Sequence, residues 1–170
     1  MENLILILFF VFILTFAYAG ISFAPWVPVW KKDLPRIFKL AELKPGQVFY
    51  DLGCGNGKVV LYANKKFKAK AIGLEISLFL YFVCKIRQIF NYNQNLVFKF
   101  KDLYREDLSQ ADVVYFFGTP DKVQKLKAKL ERELKPGCRV ISYVFPILGW
   151  QEIVKDKPNP TDIAIYLYII

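Results

Sequence analysis

The chain has 170 residues, of which 55% are hydrophobic, and its formal net charge is +9 at neutral pH. This length corresponds to one compact domain, and so high an apolar content excludes an intrinsically disordered chain. The sequence contains no histidine, which removes most catalytic triads and most metal chemistry from consideration. Its three cysteines, Cys54, Cys84 and Cys138, are widely spaced, which argues against a zinc site and indicates a reducing compartment.

The first predicted element is an uncharged apolar segment. Residues 3–30 contain no charge, and residues 4–24 are long enough to cross a bilayer as a helix. We therefore predict a transmembrane anchor over residues 1–24. A signal peptide is an alternative because Ala17-Tyr18-Ala19 has the form of a cleavage site, but Glu2 is the wrong N-terminal flank for one. A buried core helix is the other alternative, although a helix this long and apolar on all sides rarely fits a small domain.

Basic side chains follow this segment at once, at Lys31, Lys32, Arg36 and Lys39. The positive-inside rule then predicts a single-pass membrane protein with the remaining domain on the cytoplasmic side. Residues 25–44 are predicted to form a connector, with Trp26 and Trp30 suited to the headgroup layer, and a first helix.

Residues 45–170 are predicted to form the main domain, in which strands and helices alternate. The apolar runs predict strands at 47–52, 69–75, 96–101, 111–118 and 139–145, then two more at 151–155 and 162–170. Helical spacing predicts helices at 58–67, 77–91 and 121–134. The predicted fold class is α/β: a Rossmann-like, seven-stranded, mostly parallel sheet with a C-terminal antiparallel hairpin, preceded by the transmembrane helix.

The stretch V-F-Y-D-L-G-C-G-N-G-K-V-V, residues 48–60, is the most informative in the chain. A buried strand ends near Asp51, and glycines follow at alternate positions, so a ligand can contact the backbone directly. The spacing is wrong for a phosphate-binding P-loop, and the third glycine comes one position early for a dinucleotide-binding turn. Asp51 favours a ligand with a cationic or donor-rich end, and S-adenosylmethionine has both an ammonium and a sulfonium group.

The segment D-L-G-C-G-N-G-K resembles motif I of the class I, seven-β-strand S-adenosylmethionine-dependent methyltransferases. The resemblance implies that Glu75, at the end of the second strand, binds the ribose hydroxyls, and that Asp102, after the third strand, lies near the adenine amino group. The cofactor-binding residues that it implies are Asp51, Gly53, Cys54, Gly55, Asn56, Gly57, Glu75, Ile76, Asp102 and Leu103. No metal is implied.

Further segments resemble the small, often membrane-anchored protein-lysine methyltransferases of archaea, bacteria and mitochondria. These are P-W-V-P and the segments 102–114, 133–142 and 145–150. The resemblance implies methyl transfer to the ε-amine of lysine in a protein substrate, at a membrane surface. We expect the acceptor pocket among the aromatic residues at the ends of the fourth and fifth strands, Phe116, Phe117, Tyr143, Phe145 and Trp150. Motif I departs from the expected pattern at Asn56 and Lys58.

Other functions stay open at this point. A membrane-associated small molecule, such as a lipid amine or a quinone, is an alternative acceptor. Nucleic acid is a less favoured partner because the lysines are scattered rather than set in an aromatic-lined groove. A non-catalytic module that binds S-adenosylmethionine would be expected to lack Asp51, one of the glycines or Glu75, and none of these is missing.

Overall fold

The computed structural model of the protein describes residues 2–23 and 25–170. The helices are α1 (Glu2–Ser22), α2 (Leu34–Ala41), α3 (Lys58–Phe67), α4 (Leu78–Phe90) and α5 (Pro120–Glu133), with short 3-10 helices at Lys31–Asp33 and Leu103–Arg105. The strands are β1 (Val48–Leu52), β2 (Lys70–Glu75), β3 (Leu96–Phe100), β4 (Val113–Phe116), β5 (Arg139–Tyr143), β6 (Val154–Asp156) and β7 (Ile165–Ile169).

The seven strands form one sheet in the order β3-β2-β1-β4-β5-β7-β6. The first five strands pair in parallel, and β7 pairs antiparallel with both β5 and β6. This agrees with the predicted α/β sheet and its C-terminal hairpin. The chain order reverses between β1 and β4, so the carboxyl ends of these two strands flank a crevice where ligands bind in open α/β sheets.

Each face of the sheet is covered by its own apolar cluster. On one face, residues of α2 and α3 pack with side chains such as Phe49, Tyr115 and Tyr143. On the other face, residues of α5 pack with Leu52, Phe116 and other side chains of the sheet. Successive side chains of a strand point to opposite faces, and Tyr115 and Phe116 accordingly belong to different clusters.

The predicted transmembrane helix is wrong. Within residues 2–23 and 25–170, no helix is both long enough and apolar enough to span a bilayer. The predicted segment also includes Met1 and Ala24, which lie outside the described residues. Helix α1 lies against α4, where the ring of Phe12 is 6.4 Å from that of Phe79 and 6.0 Å from that of Phe82. The predicted localisation depended on this span and stays an untested prediction.

Two helix starts shape the crevice. Ser77 caps α4 as predicted, because its Oγ accepts a hydrogen bond from the N–H of Leu80 at 3.4 Å. Helix α5 begins one residue earlier than predicted, at Pro120, with Thr119 as the preceding residue. The side chain of Thr119 does not cap this helix. It donates to the carbonyl oxygen of Phe23 at 3.1 Å, and this bond connects the chain after β4 to the chain after α1.

Candidate active site

The glycine turn between β1 and α3 has a backbone that glycine adopts far more readily than other residues. Gly53, Gly55 and Gly57 have φ angles of 82°, 55° and 72°, all in the left-handed region. The N–H groups of Gly53 and Cys54 donate to the carbonyl oxygen of Leu74, at 3.0 and 2.8 Å. The turn is therefore held against the end of β2.

Asp51 is a buried acidic residue at the end of β1. The residue is 2% exposed, and no described residue donates a hydrogen bond to its side chain. Burial, with a smaller effect from the charge of Glu75, raises the pKa of Asp51 well above its ordinary value. A cationic or donor-rich group bound beside Asp51 would supply the missing partner.

Glu75 ends β2 and is bound to the glycine turn. Its Oε2 accepts a hydrogen bond from the N–H of Gly55 at 2.8 Å. Its Oε1 accepts from the N–H groups of Ile76 and Ser77, at 2.9 and 2.7 Å. Burial raises the pKa of Glu75, while these three donors act in the opposite direction by stabilising the carboxylate. The side chain is thus fixed in one orientation before any ligand binds.

Asp102 lies after β3, at the start of a short 3-10 helix. Its Oδ1 accepts a hydrogen bond from the N–H of Tyr104 at 2.9 Å. This bond caps the 3-10 helix and fixes the side chain. Asp102 therefore has a set position at the same edge of the sheet as Asp51 and Glu75.

These groups surround one cavity of about 300 Å³. It is lined by the ends of β1, β2 and β4, by the glycine turn and by residues that follow α1. Nine of the ten predicted cofactor-binding residues line it: Asp51, Gly53, Cys54, Gly55, Asn56, Glu75, Ile76, Asp102 and Leu103. Gly57 is not part of the lining and precedes the first residue of α3.

The structure separates the five aromatic residues that were expected to form the acceptor pocket. Phe117 lines the cavity, and the ring of Tyr143 lies behind it, edge-on at 5.2 Å. Phe116 belongs to the cluster on the opposite face of the sheet. Trp150 lies further away, packed against Tyr168.

Phe145 is partly buried after β5, and its carbonyl oxygen accepts a hydrogen bond from Ser142 at 2.6 Å. Phe145 and Trp150 are not among the residues that line the cavity. Of the predicted aromatic set, the structure brings only Phe117 and Tyr143 together beside the cofactor-binding residues.

Several lining residues were not anticipated, namely Phe23, Trp26, Val29, Lys58, Tyr104 and Tyr115. Tyr115 could have been predicted from the sequence. It stands two positions before Phe117, and side chains two positions apart in a strand point to the same face of the sheet. Tyr115 also pairs in register with Asp51. Trp26 was interpreted as a residue of a membrane interface, and no local pattern connects it to the glycine turn.

The match to known families agrees with this geometry. Residues 51–154 match the family described as the ANTKMT methyltransferase domain. A protein-lysine N-methyltransferase of Saccharolobus islandicus (strain REY15A) is 36% identical over 155 residues, which cover 86% of this chain and 93% of that protein. An adenine nucleotide translocase lysine N-methyltransferase of Mus musculus is 29% identical over 130 residues, which cover 76% of this chain and 56% of that protein.

A solved structure is similar over nearly its whole length. It is described as an RNA methyltransferase from Salinibacter ruber in complex with S-adenosyl-L-homocysteine. It has a TM-score of 0.79 and 30% sequence identity, and the match covers 85% of this chain and 94% of that one. S-adenosyl-L-homocysteine is what remains of S-adenosylmethionine after methyl transfer, so this similarity agrees with the cofactor implied by motif I.

The residues of the cavity fit this cofactor. The carboxylate of Asp51, which accepts no hydrogen bond from any described residue, suits its cationic amino-acid end, and the carboxylate of Glu75 keeps lone pairs that ribose hydroxyls can use. The whole motif set, the sheet order and the family match therefore agree. The chain belongs to the ANTKMT methyltransferase domain family and is a class I, S-adenosylmethionine-dependent methyltransferase.

Proposed function

We propose that this enzyme transfers the methyl group of S-adenosylmethionine to the ε-amine of a lysine in a protein substrate. The observation that carries the proposal is the match to the Saccharolobus islandicus protein-lysine N-methyltransferase over 86% of this chain and 93% of that protein. The name of the mouse relative also specifies a lysine of a protein. The chemistry of the cavity agrees with an amine acceptor.

The acceptor side of the cavity is aromatic. Tyr115 and Phe117 line it at the end of β4, and Tyr143 supports both rings, with centroid distances of 6.4 and 5.2 Å. A free lysine has a pKa of about 10.4 and must lose its proton before it acts as a nucleophile. An apolar wall lowers this pKa by disfavouring the cation, while the ring faces still attract the side chain.

The reaction needs positioning more than proton chemistry. When bound, S-adenosylmethionine supplies a methyl group on a sulfonium, which is already a good leaving group. The lone pair of the lysine nitrogen forms the new bond to the methyl carbon, the carbon–sulfur bond breaks in line with it, and S-adenosyl-L-homocysteine leaves. Asp51 and Glu75 bind and orient the donor, and the aromatic wall orients and desolvates the acceptor. The absence of histidine is compatible with this chemistry.

The acceptor class is tested by incubating purified enzyme with methyl-labelled S-adenosylmethionine and a cell extract, then separating protein, RNA and lipid. We expect the label to be found in the protein fraction and to remain there after ribonuclease treatment and after extraction with organic solvent. The Asp51→Asn variant, which keeps the shape but not the charge of the side chain, should transfer far less label. Label confined to RNA, or to the lipid fraction, would contradict the lysine proposal without affecting the family assignment.

We also propose that the substrate lysine is presented at a membrane surface. Helix α4 has an apolar face at helical spacing, formed by Phe79, Phe82, Ile86, Ile89 and Phe90. Phe12 of α1 contacts Phe79 and Phe82, which stay about half exposed, and the rest of the face is open. Exposed apolar patches of this kind mark interaction sites. Lys85 lies on the same helix, and with the net charge of +9 it favours an anionic lipid surface.

This second proposal is tested by co-sedimentation with anionic lipid vesicles. The substitution Ile89→Glu should release most of the bound protein, because it places a charge in the centre of the exposed face. The matched control is Leu148→Glu, which changes an apolar residue of similar exposure outside that face. If the two variants bind vesicles as the unsubstituted protein does, α4 is not a lipid-binding face.

A further inference from the structure

Residues 25–29, here named the strap, form a wall of the cofactor cavity. All five of them line it. The strap lies outside the family match, which begins at residue 51. Its segment P-W-V-P resembles the small protein-lysine methyltransferases, but it was predicted to be a connector with Trp26 at the headgroup layer and not part of the cofactor site.

Hydrogen bonds fix the last residue of the strap, Val29, and also Phe23, which precedes the strap in the chain. The Nζ of Lys58, the first residue of α3, donates to the carbonyl oxygen of Val29 at 2.7 Å. Before the strap, the N–H and Oγ1 of Thr119 both donate to the carbonyl oxygen of Phe23, at 3.3 and 3.1 Å. The strap is therefore fixed at Val29, and Phe23 is a second fixed point close to its start.

The ring of Phe23 fits between two glycines. A Cβ atom on Gly118 would come within 2.6 Å of the ring of Phe23, and one on Gly53 within 3.4 Å. Phe23 is 6% exposed and contacts Phe116 edge-on at 6.4 Å. This side chain anchors the start of the strap in the core.

Trp26 has a different environment from Phe23. Its indole lies directly on the glycine turn, since a Cβ atom on Gly55 would come within 2.6 Å of its Cδ1 and 2.7 Å of its Nε1. The residue is 42% exposed, so it contributes little to the core. Its position beside the turn that also holds Asp51 and Glu75 gives the cavity an aromatic surface close to where a cationic ligand binds.

We propose that Trp26 is a cofactor-binding residue and that the strap is the wall that retains S-adenosylmethionine in the site. The indole covers apolar parts of the bound cofactor and attracts its positive charge through the face of the ring. The inference concerns the donor alone, so it does not depend on whether lysine, RNA or lipid is the acceptor.

The test is calorimetric titration of S-adenosylmethionine into purified protein without any acceptor. The Trp26→Ala variant should bind about tenfold more weakly, the size of effect that a desolvated cation–aromatic contact gives. The matched control is Trp30→Ala, a neighbouring and similarly exposed tryptophan that does not line the cavity. This control should bind as the unsubstituted protein does, and the thermal unfolding midpoint of the ligand-free protein should be the same for all three.

A conservative variant separates a binding role from a structural one. Trp26→Phe keeps an aromatic ring and should recover part of the affinity, whereas Trp26→Leu should not. Equal affinities for Trp26→Ala and Trp30→Ala would overturn the proposal. Tighter binding by Trp26→Ala would also overturn it, because Trp26 would then obstruct the cofactor instead of binding it.

Discussion

The Oε2 of Glu75 accepts a hydrogen bond from the N–H of Gly55 at 2.8 Å, so the acid that ends β2 is also a structural part of the glycine turn. The other oxygen of Glu75 accepts from Ile76 and Ser77 at the approach to α4. One carboxylate thus joins three segments at the edge of the sheet. Motif resemblance implied only its contact with the ribose.

Removal of this carboxylate should weaken both the fold and the cofactor site. Glu75→Ala leaves three N–H groups without their acceptor, those of the buried Gly55 and Ser77 and of the partly buried Ile76. We expect a loss of about 1–3 kcal/mol in the free energy of unfolding. The affinity for S-adenosylmethionine should fall by at least about tenfold, because charge-assisted bonds to the ribose are lost. Urea unfolding and calorimetry measure the two effects. An unchanged affinity would show that Glu75 does not contact the cofactor.

The raised pKa of Asp51 predicts a specific pH dependence. Above the ordinary pKa of an aspartate, about 3.9, the unfolded chain has released a proton that the ligand-free native protein still holds on Asp51. The free energy of unfolding should therefore decrease as the pH rises from about 4 through the raised pKa of Asp51. Binding of a cationic ligand favours the ionised form, so the affinity for S-adenosylmethionine should increase over the same interval.

Asp51→Asn is the control for both effects. The variant cannot ionise at this position, so its stability and its cofactor affinity should vary less with pH than those of the unsubstituted protein. If the two proteins have the same pH profiles, the titrating group is not Asp51.

The hydrogen bond between Tyr143 and Asp33 should stabilise the protein. The hydroxyl of Tyr143 donates to Oδ2 of the fully buried Asp33 at 2.7 Å, and Arg36 donates to the other carboxylate oxygen at 2.8 Å. Tyr143→Phe removes one donor from a buried carboxylate and should cost about 1–3 kcal/mol in urea unfolding. Tyr92→Phe, at a residue that is 86% exposed, should change stability by less than about 0.5 kcal/mol. A similar small change in both variants would show that the buried bond contributes little.

Gly118→Ala should disturb the anchor of the strap. The added Cβ would lie 2.6 Å from the ring of Phe23, so the ring or the backbone at Gly118 must move, at a cost of about 1–3 kcal/mol in stability. Weaker binding of S-adenosylmethionine should accompany this, because Phe23 lines the cavity. Gly20→Ala is the control, since its Cβ would have no described contact closer than 3.9 Å. If Gly118→Ala is as stable as Gly20→Ala, Phe23 is not confined in the way the structure indicates.

The parts of the site that could be predicted are those encoded by short segments. Asp51, the glycine turn and Glu75 each follow a recognisable strand, and parallel strands bring their ends to one edge of the sheet. The aromatic residues were harder to place. Phe116 and Phe117 are adjacent, and neighbouring side chains near a strand point to opposite faces of the sheet, so the two could not both line one cavity.

The N-terminal region shows where local patterns fail. The uncharged run before Trp30 satisfies the length criterion for a membrane span, yet α1 contacts α4 through Phe12 and ends next to the buried Phe23. Contacts such as Trp26 with Gly55 join residues far apart in the chain. They depend on tertiary structure, and no local pattern of charge or hydropathy reveals them.

The most direct test of the central claim is to identify the methylated residue in a labelled protein acceptor. Labelled protein from the extract assay is hydrolysed in acid, and its amino acids are separated and compared with methyl-lysine standards. Lysine methylation predicts that the label elutes as mono-, di- or trimethyl-lysine and that it is strongly reduced when Asp51→Asn replaces the unsubstituted enzyme. Label that elutes with another methylated amino acid, or protein that carries no label while RNA does, would contradict it.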